Sequence, residues 1–454
     1  MIIRFPSIHL PHSGFILLAW VLVFCISCKK EFQSDADSSS PIEYFFGGYE
    51  DKVAFVEKTS DGGFIYGGST NTGVNGKDAF LLKVDHFGNK QWYKTYGGRK
   101  YDYFNHVIET SDGGYLAIGA SNSIGKGTWD STNCLSDYVV KTNANGDVMW
   151  ARSYNSSTNT DESAAFGALE SKLGFYYITG KNSVSGTNRI YIHRLKTDGT
   201  FTYDSIYPFN YYYSNLTNIP PYTVAPNYYH AWGVSLCEAL DGSLFLGGLM
   251  SLSNIPGQAS KYVTFLMHLF HNGSPISMNP YYSYPREGQY YFAFDNPRRT
   301  PPVKVKVMQN GCLIATYIEG LQGKLTIQLL RTDFNGNLMW EKQFPVQGYS
   351  LLHNIEANPD GTFLLIGSSS SAPFNSAYPE LFSSLKNTLI LVDKDGNALW
   401  TKTIGSDFTV NNARCVQPLA EGGWRVAAYS SSSETGYDRM FTMRVNKNGD
   451  LITK

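Results

Sequence analysis

The stretches DGGFIYGGST at 61–70 and DAFLLKVDHFGNKQW at 78–92 recur as DGGYLAIGAS at 112–121 and DYVVKTNANGDVMW at 137–150. Each copy holds two kinds of glycine turn. The first kind falls at Gly62, Gly113, Gly174, Gly242, Gly311, Gly361 and Gly422, the second at Gly88, Gly146, Gly199, Gly273, Gly336, Gly396 and Gly449. Asp or Asn precedes most of these glycines, and such dipeptides tolerate the positive φ of tight hairpins, so each marks an antiparallel hairpin. The two series alternate strictly along the chain.

Between the turns lie runs such as KVAFVEKT, FIYGGST, AFLLKVD and KQWYKTY, rich in the apolar and aromatic residues of buried strands. One unit therefore holds four strands, and seven units of about 59 residues fill 44–454. That is the grammar of an all-β fold, a seven-bladed β-propeller of four-stranded antiparallel blades. It also answers a size problem, because single cores stop growing near ~250–300 residues and a propeller divides its core among blade interfaces. Trp92, Trp150, Trp340 and Trp400 each lie four residues past a second-series glycine, with Tyr203 in that place in the third unit. Recurrence at one strand position predicts packing between neighbouring blades rather than a sugar platform.

The repeat, in the form DGGY…G.S…D..L.K.D..GN..W...YGG, resembles β-propeller repeat proteins among secreted proteins and lipoproteins of Bacteroidota. Some of these are labelled bulb-type lectin domain-containing. The resemblance covers nearly all of 44–454 and rests on turn and packing residues, so it implies the fold and is silent on activity. The lectin label would imply mannose binding through Q-x-D-x-N-x-V-x-Y, a motif this sequence lacks.

Ahead of the repeats, the apolar run Phe15–Phe24 is long enough for a signal-peptide core and too short to span a bilayer. It ends at Ser27-Cys28, which resembles the lipobox of bacterial lipoproteins, with Cys25 standing where Leu is usual. The resemblance implies a signal peptide over 1–27, cleavage before Cys28 and lipidation of Cys28. An ordinary secretory signal or an N-terminal anchor helix is the alternative. Residues 28–43 include the small, polar QSDADSSSP and read as a flexible tether, with Asp35 and Asp37 resembling the surface-export signals of Bacteroidota lipoproteins. The expected address is the cell envelope, as an outer-membrane lipoprotein facing the periplasm or the cell surface, held to the membrane by its N-terminal lipid.

Charged residues are only 17% of the 454-residue chain, aromatics are 15%, and 37 basic residues face 38 acidic ones for a net charge of −1. So apolar a chain is not disordered, and without a clustered basic surplus it is not a nucleic-acid partner. Cys134, Cys237, Cys312 and Cys415 are widely spaced and read as free buried thiols. His268 and His271 bracket a turn at a spacing that could serve a metal, but surface hairpin residues are the expectation, so neither metal nor cofactor is assigned. No nucleophile elbow or phosphate loop occurs, and Asp393–Asn397 sits on a hairpin turn without the terminal Glu of a calcium loop. Nothing in these motifs favours an enzyme, although paired carboxylates in a central channel, as in a polysaccharide hydrolase or lyase, leave no trace in sequence.

The departures from the repeat are insertions at 122–136, 208–231, 280–302 and 369–386. In a meander they all fall on one face, opposite the tight turns, which is how binding sites are built on rigid scaffolds. Two flank the fourth unit and are rich in Tyr. They supply Tyr211, Tyr212, Tyr213, Tyr228, Tyr229, Trp232, Tyr281, Tyr282, Arg286, Tyr290 and Tyr291 as candidate binding residues for a glycan, a peptide or an envelope protein. Packing of these loops on each other, or into the channel, is the competing expectation, and a scaffold subunit of an envelope complex is the alternative function.

Overall fold

The structure, a computed structural model, describes residues 42–45, 51–71, 76–124, 135–154, 162–184, 187–207, 231–251, 262–281, 303–319, 325–344, 348–370, 385–405, 410–431 and 438–452. A short strand β1 (Ile42–Phe45) comes first. Blade one follows as β2 (Lys52–Lys58), β3 (Phe64–Asn71), β4 (Lys77–Val84) and β5 (Lys90–Tyr96). Blade two holds β6 (Asp102–Glu109), β7 (Tyr115–Ser121), β8 (Ser136–Thr142) and β9 (Val148–Arg152). Blade three holds β10 (Glu162–Glu170), β11 (Tyr176–Val184), β12 (Thr187–Leu195) and β13 (Phe201–Tyr207). Blade four holds β14 (Ala231–Glu238), β15 (Leu244–Ser251), β16 (Tyr262–Leu269) and β17 (Pro275–Tyr281). Blade five holds β18 (Lys304–Met308), β19 (Gly311–Glu319), β20 (Leu325–Thr332) and β21 (Leu338–Phe344). Blade six holds β22 (Tyr349–Ala357), β23 (Phe363–Ser370), β24 (Lys386–Val392) and β25 (Ala398–Ile404). Blade seven holds β26 (Val410–Pro418), β27 (Trp424–Ser431) and β28 (Asp438–Val445), with β1 as its fourth strand.

This is the expected seven-bladed propeller of four-stranded antiparallel meanders. All fourteen predicted turn glycines have positive φ. Most turns are three-residue loops closed by two backbone bonds: Gly62 N donates to Thr59 O and Thr59 N to Gly63 O. The second glycine of the DGG motif has a different task. A Cβ at Gly63 would lie 2.7 Å from Lys83 Nζ, which donates to Asp61 Oδ2 at 2.7 Å and to Val84 O at 2.9 Å. Lys141 and Asp112 repeat this staple in blade two.

First strands of successive blades touch around most of the ring and so face the channel. Middle strands are buried, β7, β8 and β23 throughout, while outer strands such as β9 face solvent. The apolar core is correspondingly split into clusters at the blade interfaces, for example Phe55, Leu81, Phe104 and Val140 between blades one and two. Two polar devices fix those interfaces. The half-buried Trp92 lies against Gly146 of the next blade, where a Cβ would sit 2.8 Å from the ring, and its Nε1 donates to Ala144 O at 3.1 Å. Trp150 on Gly199 and Trp400 on Gly449 repeat the contact, donating to Thr197 O and Lys447 O, and Trp340 packs on Gly396. The tryptophans are interface residues, as their recurrence predicts. The second device is absent from the repeat pattern: Glu109 accepts from Ser60 N and Oγ of the preceding blade, and Glu170 does the same for Ser111.

Ring closure joins the two ends of the repeat region. β1 pairs antiparallel with β28, Phe45 opposite Met440 and Ile42 opposite Met443, and Leu451 bridges Val445 just beyond. The outermost strand of blade seven is thus shared, and an exposed edge is covered. In sequence, Tyr44-Phe45-Phe46-Gly47-Gly48 resembles Lys94-Thr95-Tyr96-Gly97-Gly98, the end of the fourth strand of the first unit, but the register is offset by one residue. Phe45 takes the place of Tyr96 of blade one, whereas matching the Gly-Gly pairs puts Phe46 there. Deleting residues 42–50 removes the closing strand and is expected to lower the melting temperature by about 5 °C or more. An unchanged thermal unfolding curve would show that the ring closes without it.

Candidate functional site

The inner strands are where the blades differ most. In six of them the register against the second strand skips one residue: Ala54, Asn105, Phe166, Val234, His353 and Arg414. Such bulges re-aim side chains and increase local twist. In the shorter β18 the pairing is regular, and it places Lys304 and Lys306 on one side of the strand.

Inner strands of all seven blades line a cavity of about 670 Å³ at the channel mouth beside the first-series turns, as its Ser60, Thr110, Ser111 and Gly113 walls show. Its walls are chemically unequal. Blades three and four present Gly167, Ala168, Leu169, Val234 and Leu236, whereas blades five, six and one present Lys304, Lys306, Asn354, Glu356, Glu57 and Lys58. Charges meet there across the channel. Glu356 takes the Lys58 ammonium of blade one, and Lys306 Nζ lies 3.9 Å from its other oxygen. Glu57 faces His106 Nε2 at 3.4 Å. Burial alone would raise the Glu57 carboxyl, but the His106 bond and the charges of His106, Lys304 and Lys306 hold it below the usual range. Burial, reinforced by Arg414 and Lys304, keeps the His353 imidazole well below its ordinary value. His353 Nε2 lies 2.9 Å from Ser368 Oγ.

Of the candidate binding residues read from sequence, Trp232 and Tyr281 are described, and both are buried in one cluster that spans blade four and its neighbours. The Tyr281 hydroxyl donates to Gly336 O at 2.8 Å, the place that Tyr96 takes on Gly146. Tyr211, Tyr212, Tyr213, Tyr228, Tyr229, Tyr282, Arg286, Tyr290 and Tyr291 lie outside the described residues, as does Cys28. His268 stacks on Phe245 with centroids 4.3 Å apart, and the His271 carbonyl accepts the Tyr177 hydroxyl. Among the described residues no group of three His, Cys, Asp or Glu is placed to share a metal ion. Cys312 and Cys415 are buried free thiols, and Cys237 is half-buried, its thiol pushed up by burial to about 12.

Sequence reading missed the channel charges. Glu57, Ile108, Leu169, Cys237, Lys306, Glu356 and Gln417 share one register position, and only their variation within a strict repeat marks it. The chain matches no protein family profile, and no curated protein matches it in sequence.

A second polar cluster joins blades two and three and has a structural role. His193 is fully buried, with Nε2 3.5 Å from the buried Asp137 and Nδ1 3.0 Å from Asp204. Burial would lower its pKa, yet the bonds and charges of the two carboxylates raise it. A histidine raised on folding stabilises fully below its unfolded value near ~6.5, and that contribution is lost as pH rises through the folded value. Stability of the wild type relative to His193→Gln should therefore decline with rising pH above about 6.5. Parallel pH profiles in urea melts would remove this role.

Proposed function

We propose that the protein is a lipid-anchored, non-catalytic propeller of the bacterial outer membrane, of the kind its repeat resembles in Bacteroidota. Through its long-connection face it binds a glycan, a peptide or a partner protein. One observation carries the binding reading. Every blade is an up-and-down meander with tight turns on one face, so every long connection joins the other. A rigid ring with its sequence freedom gathered on one face is a recognition scaffold. The channel carboxylate Glu57 supports binding over hydrolysis, because a general acid needs a raised pKa and the neighbouring cations lower this one. Anchoring rests on the lipobox-like end of the apolar run at Cys28, and the polar stretch between Cys28 and β1 lets the ring stand off the membrane.

The test combines location with capture. Cys28→Ala should move the protein from the membrane to the soluble fraction, and a variant that stays membrane-bound has another anchor. The intact chain, applied to a glycan array and used to pull down envelope proteins, should retain one class of ligand. Tyr212→Ala with Tyr290→Ala should weaken retention at least tenfold, about 1.4 kcal/mol, with an unchanged melting curve. Full retention by the double variant would remove the Tyr-rich connections from recognition, and turnover of a polysaccharide would make the protein an enzyme.

A further inference from the structure

We propose that the turn-side mouth of the channel is a second binding site, for a small organic anion that pairs a carboxylate-type head with an apolar body. It lies at the opposite end from the long connections and stands independently of their role.

The inference follows from an inventory of charge. Each carboxylate that lines the cavity already has donors. Glu57 has His106, and Glu356 is shared by Lys58 and Lys306. Glu109 and Glu170, on blades two and three, each accept a turn N–H and a hydroxyl. Two cations, on blades five and seven, are not matched in this way. Lys304 makes no hydrogen bond or ion pair with a described residue. Arg414 spends one nitrogen on the Tyr429 hydroxyl at 2.7 Å, and its buried Nε has no partner among the described residues. Among the lining residues of blades five, six and one, Lys58, Lys304 and Lys306 face Glu57 and Glu356, an excess of one positive charge, and Arg414 of blade seven adds its field at Lys304. Two groups sense that excess. His353 is driven toward its neutral form by Arg414 and Lys304 as well as by burial, and Lys304 is itself lowered by burial, Lys306 and Arg414 against the pull of Glu57. A partly desolvated ammonium without a counter-ion costs free energy that an incoming anion would return.

The rest of the cavity selects what the anion is attached to. About 670 Å³ falls in the range of small-molecule sites, and beside Lys304 the neighbouring blades four and three present Val234, Leu236, Ala168 and Leu169. A carboxylate on Lys304 would put an aliphatic or aromatic body against these residues, whereas a bare inorganic anion would leave them unused.

Isothermal titration of the full chain with octanoate and with octylammonium, which share a body and differ in head charge, tests this. Octanoate should bind and raise the melting temperature, with octylammonium at least tenfold weaker. Lys304→Gln should weaken octanoate about tenfold, and Lys304→Arg should stay within about threefold of wild type. Because Lys304 carries an unmatched charge, Lys304→Met should fold with an undiminished melting temperature and lose octanoate binding. Equal binding of the two heads, octanoate binding indifferent to Lys304→Gln and Lys304→Met, or no heat with octanoate at millimolar concentration would each overturn the proposal.

Discussion

One contact sets the spacing of this molecule: an aromatic ring at the outer edge of a blade, laid on the turn glycine of the next. Trp92 on Gly146, Trp150 on Gly199, Trp340 on Gly396 and Trp400 on Gly449 are the same contact repeated, with Tyr203 on Gly273 as its smaller form. The glycine meets two demands at once. Its φ, +76° at Gly146, is one that residues with a Cβ rarely adopt, and a Cβ there would also overlap the ring. A single residue type therefore serves both the hairpin within a blade and the joint between blades. Glu109 and Glu170 add a joint at the channel end, each accepting two bonds from a turn of the preceding blade.

These joints explain why the repeat was legible. A turn is decided by three or four adjacent residues, and a repeated joint needs the same residues in every copy, so both appear as a periodic pattern. Closure leaves a trace in sequence for the same reason, since Tyr44–Gly48 repeats the end of a fourth strand that the last unit lacks. The one-residue offset at Phe45 was not, because register there is set by β28, far along the chain, rather than by a local turn. The channel resisted reading more completely. Glu57 and Lys306 meet only when seven blades close, and their register position holds a different residue in nearly every unit, so no periodic pattern marks it.

The two ends of the ring consequently have different characters. On the turn side the described loops are short and closed by backbone hydrogen bonds, and the channel opens between a charged wall and a more apolar one. The strands joined by the long insertions end on the other side, where the sequence departs from the repeat. His193 with Asp137 and Asp204 is a charged knot inside an interface, and its effect is on stability rather than on recognition.

The ring-on-glycine contact couples adjacent blades. Native-state hydrogen exchange on the wild type and on Trp150→Ala reads this directly. The account predicts that protection falls in both blades joined by that tryptophan, in β8 and in β12, while β23 and β24 of blade six keep theirs. Loss confined to β9, with β12 unchanged, would contradict it.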